Sequence, residues 1–141
     1  MKSTIRFVSA ITFSLAALSA QAATLTVGDN LMIESINGQV VSGEQVQLAA
    51  GNHLVELRFS DRYYTNANSS GNWVKSAPLF TQISLTEDEA LSLQTPKLSN
   101  EVQAREYVRQ PVVTLTSANG RNENLSLQTQ AQLMSQLLAA M

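Results

Sequence analysis

The chain has 141 residues, with nine Lys and Arg against eleven Asp and Glu, one histidine and no cysteine. The net charge of −2 and the lack of any Lys/Arg cluster argue against a nucleic-acid partner, whose phosphates are held by basic side chains. Without cysteine there is no disulfide, so stability must come from packing and backbone pairing.

At the N-terminus, Lys2 and Arg6 flank a charge-free apolar run over 7–18, and Ala20-Gln21-Ala22 follows as a small-x-small site. This is the layout of a secretory signal peptide over 1–22, leaving a single β-rich periplasmic domain over 23–141. Twelve residues are too few to cross a hydrocarbon core of about 30 Å as a helix, so no membrane insertion is expected after cleavage. Loss of Lys2 and Arg6 takes the basic count from nine to seven against eleven acids, a net charge of −4.

Leu25 and Val27, then Leu31 and Ile33, begin a period-2 alternation that reads as strands with one buried face. Asn37-Gly38 follows, the dipeptide favoured in a two-residue type I′ hairpin turn, where both central residues need positive φ. Val46 and Leu48 share one parity, and His53, Val55, Leu57 and Phe59 share another, with Gly43 and Gly51 at the connections. The rhythm breaks over 60–76, SDRYYTNANSSGNWVKS, which reads as a long exposed loop.

Alternation resumes at Leu79, Thr81, Ile83 and Leu85, continues in Leu91 and Leu93, and closes with Val113, Leu115, Leu125 and Leu127 around Asn119-Gly120. Two helices are predicted: 100–109, with Asn100 and Gln103 in capping-box spacing, and 129–141, with Leu133, Met134, Leu137, Leu138 and Met141 on one stripe. The expected fold is mainly β with seven or eight strands, an antiparallel sandwich or barrel-like domain with one or two short helices in the C-terminal half.

No residue set specifies a reaction. His53 lacks companions for catalysis or metal binding and reads as a partly buried, hydrogen-bonded structural residue. Glu87-Asp88-Glu89 reads as a solvated turn, although Thr86 and Glu89 also fit a capping box. The separated acids Asp29, Glu34, Glu56 and Asp61 cannot be paired from sequence. Tyr63, Tyr64 and Trp73, with Arg62 and Lys75 at the margins, concentrate in one polar segment the residue types enriched at binding hot spots and sugar-stacking faces. Packing of the C-terminal stripe on the sheet is expected, with partner docking as the alternative. No catalytic residue, metal ligand or cofactor is assigned.

Ile36-Asn37-Gly38-Gln39, Leu48-Ala49-Ala50-Gly51-Asn52-His53-Leu54-Val55-Glu56-Leu57-Arg58-Phe59 and Val74-Lys75-Ser76-Ala77-Pro78-Leu79 occur in that order. Thr95-Pro96-Lys97-Leu98, Gln103-Ala104-Arg105-Glu106-Tyr107, Pro111-Val112-Val113-Thr114-Leu115 and Asn119-Gly120 follow. Their order and spacing resemble the family of exported Gram-negative proteins that includes the periplasmic curli production inhibitor. The 36–59 stretch is also similar to the small sandwich repeats named for a Pro-Glu-Gly-Ala motif. The resemblance implies a periplasmic all-β protein without catalysis, one relative of which restrains extracellular amyloid assembly. The expected function is non-enzymatic binding of an envelope protein or polymer through the 63–75 loop and adjoining strand edges. The alternative is a glycan or peptidoglycan module using the same aromatics.

Overall fold

The computed structural model describes residues 22–86 and 88–141, so the signal-like segment 1–21 and Glu87 lie outside the described residues. Strand β1 (Ala23–Val27) buries Ala23, Leu25 and Val27 and turns Thr24 and Thr26 outward, as the alternation requires. β2 (Leu31–Ile36) and β3 (Gln39–Gly43) form the expected hairpin: Asn37 and Gly38 sit at φ 53° and 83°, and Ile36 pairs with Gln39. β4 (Gln45–Leu48), β5 (Gly51–Tyr63), β6 (Asn72–Lys75), β7 (Leu79–Leu85) and β8 (Ala90–Gln94) follow. Then come α1 (Glu101–Tyr107), β9 (Val112–Ser117), β10 (Asn122–Ser126), β11 (Gln128–Thr129) and α2 (Gln130–Ala139).

These strands make two sheets. The first runs β10-β9-β8-β1-β4 and the second β11-β7-β5-β2-β3, with β6 added to β5. The result is the expected mainly β sandwich, and neither sheet closes into a barrel. One pair departs from the antiparallel pattern: β1 and β8 run parallel, Leu25 beside Leu91 and Val27 beside Leu93. The described residues hold eleven strands rather than seven or eight: β3 buries no residue and β6 only Val74, so neither shows an alternation, and β11 is two residues long, and the chain twice bends from one sheet into the other. Gly43-Glu44 makes the bend between β3 and β4, and buried Leu127 makes it between β10 and β11.

Inward rows of both sheets meet in one apolar cluster that includes Leu25, Ile33, Leu57, Phe59, Ile83, Leu93 and Leu115. Burying each such side chain contributes about 1.5–3 kcal/mol, which is how a chain without disulfides is held. Helix α1 adds Tyr107, whose ring lies 5.2 Å from that of Phe59 while its hydroxyl donates to Val112 O at 2.9 Å. The helix starts as predicted, with Asn100 Oδ1 accepting the Gln103 N–H at 2.9 Å. Gln103 Oε1 reaches back one residue further than a capping box, to the Ser99 N–H at 2.8 Å.

Candidate functional site

β5 is long enough to need two partners along one edge. β7 pairs with it from Gly51 to Leu57, and β6 takes over from Ser60 to Tyr63. Ser76 bridges the handover. Its N–H donates to Phe59 O at 2.9 Å, its hydroxyl accepts the Phe59 N–H at 2.9 Å, and the same hydroxyl donates to Ala77 O at 2.7 Å. A side chain thus supplies the ladder bond that neither strand can make where the chain turns.

The segment 60–76 is therefore not one long loop. It is a two-stranded ribbon with a connection over 64–71. Its inner row carries the half-buried Asp61 and Tyr63 and the buried Val74, and its outer row carries Arg62, Trp73 and Lys75. Only Val74 on β6 is buried, so the alternation is too brief to read as a strand from sequence.

Four of the five expected site residues come together. Arg62 and Trp73 are cross-strand partners. The Arg62 guanidinium lies 5.3 Å from the Tyr64 ring centre and 5.6 Å from that of Trp73, and Lys75 Nζ lies 5.4 Å from Trp73. Each such contact is worth about 0.5–1 kcal/mol at an exposed site, which favours this arrangement of the side chains. Arg62 also donates to Ser70 O, crossing the connection at Gly71. Gly71 has φ +83°, and a Cβ there would lie 3.0 Å from both Arg62 and Tyr64, so the ladder and the tight turn require each other.

Tyr63 does not join the ladder. It packs against the core from the inner row and donates to Asp61 Oδ2 at 3.2 Å. Burial first, then the Asp61 charge and hydrogen bond, push its hydroxyl up to about 12. A cleft of about 550 Å³ separates the 62–65 segment from the start of α1. Glu101 stands at its margin, accepting from Asn72 Nδ2 at 3.1 Å and from Arg105 at 2.6 and 3.0 Å, so the helix braces the ribbon. Hydrogen bonds from Arg105, then from Asn72, hold the Glu101 carboxyl below the usual carboxylate range.

The remaining candidates are structural. His53 is the hydrogen-bonded residue expected: Nε2 donates to Ala49 O at 2.7 Å, which leaves Nδ1 to accept from Asn37 Nδ2 at 2.9 Å. Asn37 Oδ1 in turn accepts the Leu54 N–H at 2.8 Å, tying the β2–β3 turn to β5. The reading of Glu87-Asp88-Glu89 as a solvated turn fails at Glu89, which is buried. Its Oε2 accepts from Thr86 N–H at 3.0 Å and Thr86 Oγ1 at 2.8 Å, and Arg121 stands 3.3 Å away. Burial alone would raise the Glu89 carboxyl, but the bonds from Thr86 and Arg121 outweigh it and hold it low. The bond from Thr86 N–H to Glu89 is half of the capping box that their spacing suggests, whereas the distant Arg121 is a partner that a local reading of three acids does not anticipate.

Glu56 accepts from Ser35 Oγ at 2.7 Å, and Glu34 lies 2.9 Å from Arg58 Nε, an ion pair by distance without hydrogen-bond geometry. Among the described residues no group of three or more His, Cys, Asp or Glu is gathered to hold a metal ion. The C-terminal stripe also departs from expectation. α2 opens on a capping box between Thr129 and Gln132, yet none of its residues is buried, and Met134, Leu137 and Leu138 are exposed.

The model of the family described as an uncharacterized protein conserved in bacteria (DUF2057) matches residues 24–140. The chain belongs to that family. The DUF2057 match begins in β1 and ends beyond α2, so it takes in both sheets, the ribbon and both helices. No curated protein and no solved structure matches the chain.

Proposed function

We propose that the chain is an exported, non-enzymatic binding protein of the bacterial cell envelope that holds its partner on the Arg62, Tyr64, Trp73 and Lys75 face. The observation that carries this reading is the exposure of two large aromatics, Tyr64 at 61% and Trp73 at 53%, held in place by cations on a braced ribbon. Pre-positioned aromatic and Arg side chains cost little ordering on binding, which is why they dominate hot spots. Export is supported by the signal-like 1–22 segment, and the resemblance to the curli production inhibitor supports a polymer-forming envelope protein as partner.

A glycan partner is the weaker reading, because Tyr64 and Trp73 each already carry a cation over the ring, which leaves less π-face for a sugar. Capture of an unfolded curli-type subunit, compared with sedimentation on purified peptidoglycan, tests the proposal in parent and Tyr64→Ala/Trp73→Ala protein. The expected result is capture of the subunit by the parent, lost in the double variant with the fold intact. Retention on peptidoglycan alone would replace the proposal with the glycan reading.

A further inference from the structure

The outward side of the first sheet carries no charge. Register aligns Gln45, Thr26, Ser92, Thr116 and Asn122 in one row across all five strands. Gln47, Thr24 and Ala90 form a row on one side, and Gln94, Thr114 and Asn124 form one on the other. Gln94 Nε2 donates to Ser92 Oγ at 2.9 Å and Thr114 Oγ1 to Asn124 Oδ1 at 3.1 Å, so the face is a lattice of amides and hydroxyls. Soluble surfaces are commonly about a quarter to a third charged, and the second sheet follows that rule with Glu34, Glu56 and Arg58.

The edges of the sandwich differ in the same way. β10 carries Glu123, ion-paired at 2.8 Å with Arg121 just before the strand, β11 runs directly into α2, and β6 carries Lys75 and is tied to α1. The seam formed by β3 and β4 has no such device. It holds no Lys, Arg or Pro, its one acid is Glu44 at the bend, Val40 is 88% exposed, and no described strand pairs with its outer side. Exposed strand edges are normally blunted by charge, proline or cover, because their free N–H and C=O groups recruit another strand. The Val27 N–H donates to Glu44 O, which by alternation turns the Val46 backbone toward β1 and the N–H and C=O groups of Gln45 and Gln47 toward the open side.

We propose that the β4 edge adds an extended strand from a partner protein, one alternating uncharged Asn, Gln, Ser or Thr with aliphatic residues. An added strand prolongs the sheet. Its residues of one parity join the Gln45 and Gln47 side, where a charge would find no counter-ion, and those of the other sit beside Val46 and Leu48. A second copy would offer only the four residues of β4 before its own bend, whereas a free extended segment can follow β4 and continue along β3. This inference rests on the reading of the chain as a binding protein and adds a second contact that defines the partner's sequence class.

The test is fluorescence anisotropy of two labelled ten-residue peptides with the purified chain, one alternating Val with Gln, Asn and Ser, the other with Lys at those polar positions. The variants are Gln47→Pro, which removes an edge N–H without touching the ladder to β1, Gln45→Lys, which charges the amide row, and Tyr64→Ala/Trp73→Ala. The parent should bind the uncharged peptide at least tenfold more tightly than the Lys peptide. Gln47→Pro and Gln45→Lys should each lose at least tenfold, while Tyr64→Ala/Trp73→Ala should bind the peptide within about twofold of the parent. Circular dichroism identifies any variant that misfolds, and Gln45→Lys decides the matter if Gln47→Pro does. No binding by the parent, equal binding of both peptides, or a Gln47→Pro effect confined to self-association in sedimentation would overturn the edge proposal. Subunit capture that survives Gln47→Pro but fails in Tyr64→Ala/Trp73→Ala would overturn the edge and leave the ribbon reading standing.

Discussion

Replacing Ser76 by Ala isolates the joint on which the ribbon depends. Ser76 is buried at 8% exposure and Phe59 at 0%, so water cannot readily replace the lost hydroxyl. The Phe59 N–H loses its acceptor at 2.9 Å, and Ala77 O loses its donor at 2.7 Å. An orphaned buried donor costs about 1–3 kcal/mol, against about 0.5–1.5 for an ordinary intramolecular bond, so the N–H dominates the loss. A cost of about 2 kcal/mol in a domain of this size lowers Tm by roughly 5 to 10 °C. Thermal unfolding followed by circular dichroism measures it, and amide exchange at Phe59 should accelerate in the variant before that of Leu57 or Val55. A Tm within about 1 °C of the parent would show that the Ser76 hydroxyl is not the sole acceptor, and the account of the β6–β7 handover would fall.

Three further outcomes follow from the geometry. Glu89 has its folded pKa held below the ordinary glutamate value, so its stabilisation is present above about pH 4.3 and is lost as pH falls through the depressed value. Glu89→Gln should therefore cost about 1–3 kcal/mol at neutral pH and flatten the acid limb of Tm against pH; an unchanged acid limb would place the titration elsewhere. Tyr63 is raised to about 12, so its contribution holds below pH 10 and fades as pH rises toward 12; absorbance titration of phenolate in Tyr63→Phe should lose the component near pH 12 and keep that of the buried Tyr107, which burial raises further. Gly38→Val should destabilise by on the order of 1 kcal/mol or more, because a β-branched residue must adopt φ near 83°, and a denaturant midpoint equal to the parent's would contradict the turn assignment.

The strands that the sequence discloses are those with two or more apolar positions at period two, such as Val55, Leu57 and Phe59 or Leu91 and Leu93. β6 escapes because one buried Val among four residues carries no period, and its existence depends on β5 running past the end of β7. The aromatic and cationic residue types of the site were legible, but the sorting of Tyr63 inward and Tyr64 outward required the strand to be known first. For α2 the apolar stripe was readable, yet a stripe states only that a helix has an apolar face and not whether the sheet covers it.

The uncharged face shows the same limit more sharply. Parity in the sequence already says that Thr24, Thr26, Gln45, Gln47, Ser92, Gln94, Thr114 and Thr116 point away from the core. Within any one strand two neutral polar residues are ordinary, and nothing about them invites notice. They become a continuous surface only because β1 passes between β4 and β8 and pairs with β8 in parallel, a connection that spans more than sixty residues of chain and leaves no local mark. What the chain withholds from a linear reading is which strands are neighbours. A property that belongs to a row across strands, such as the absence of charge, exists only at that level.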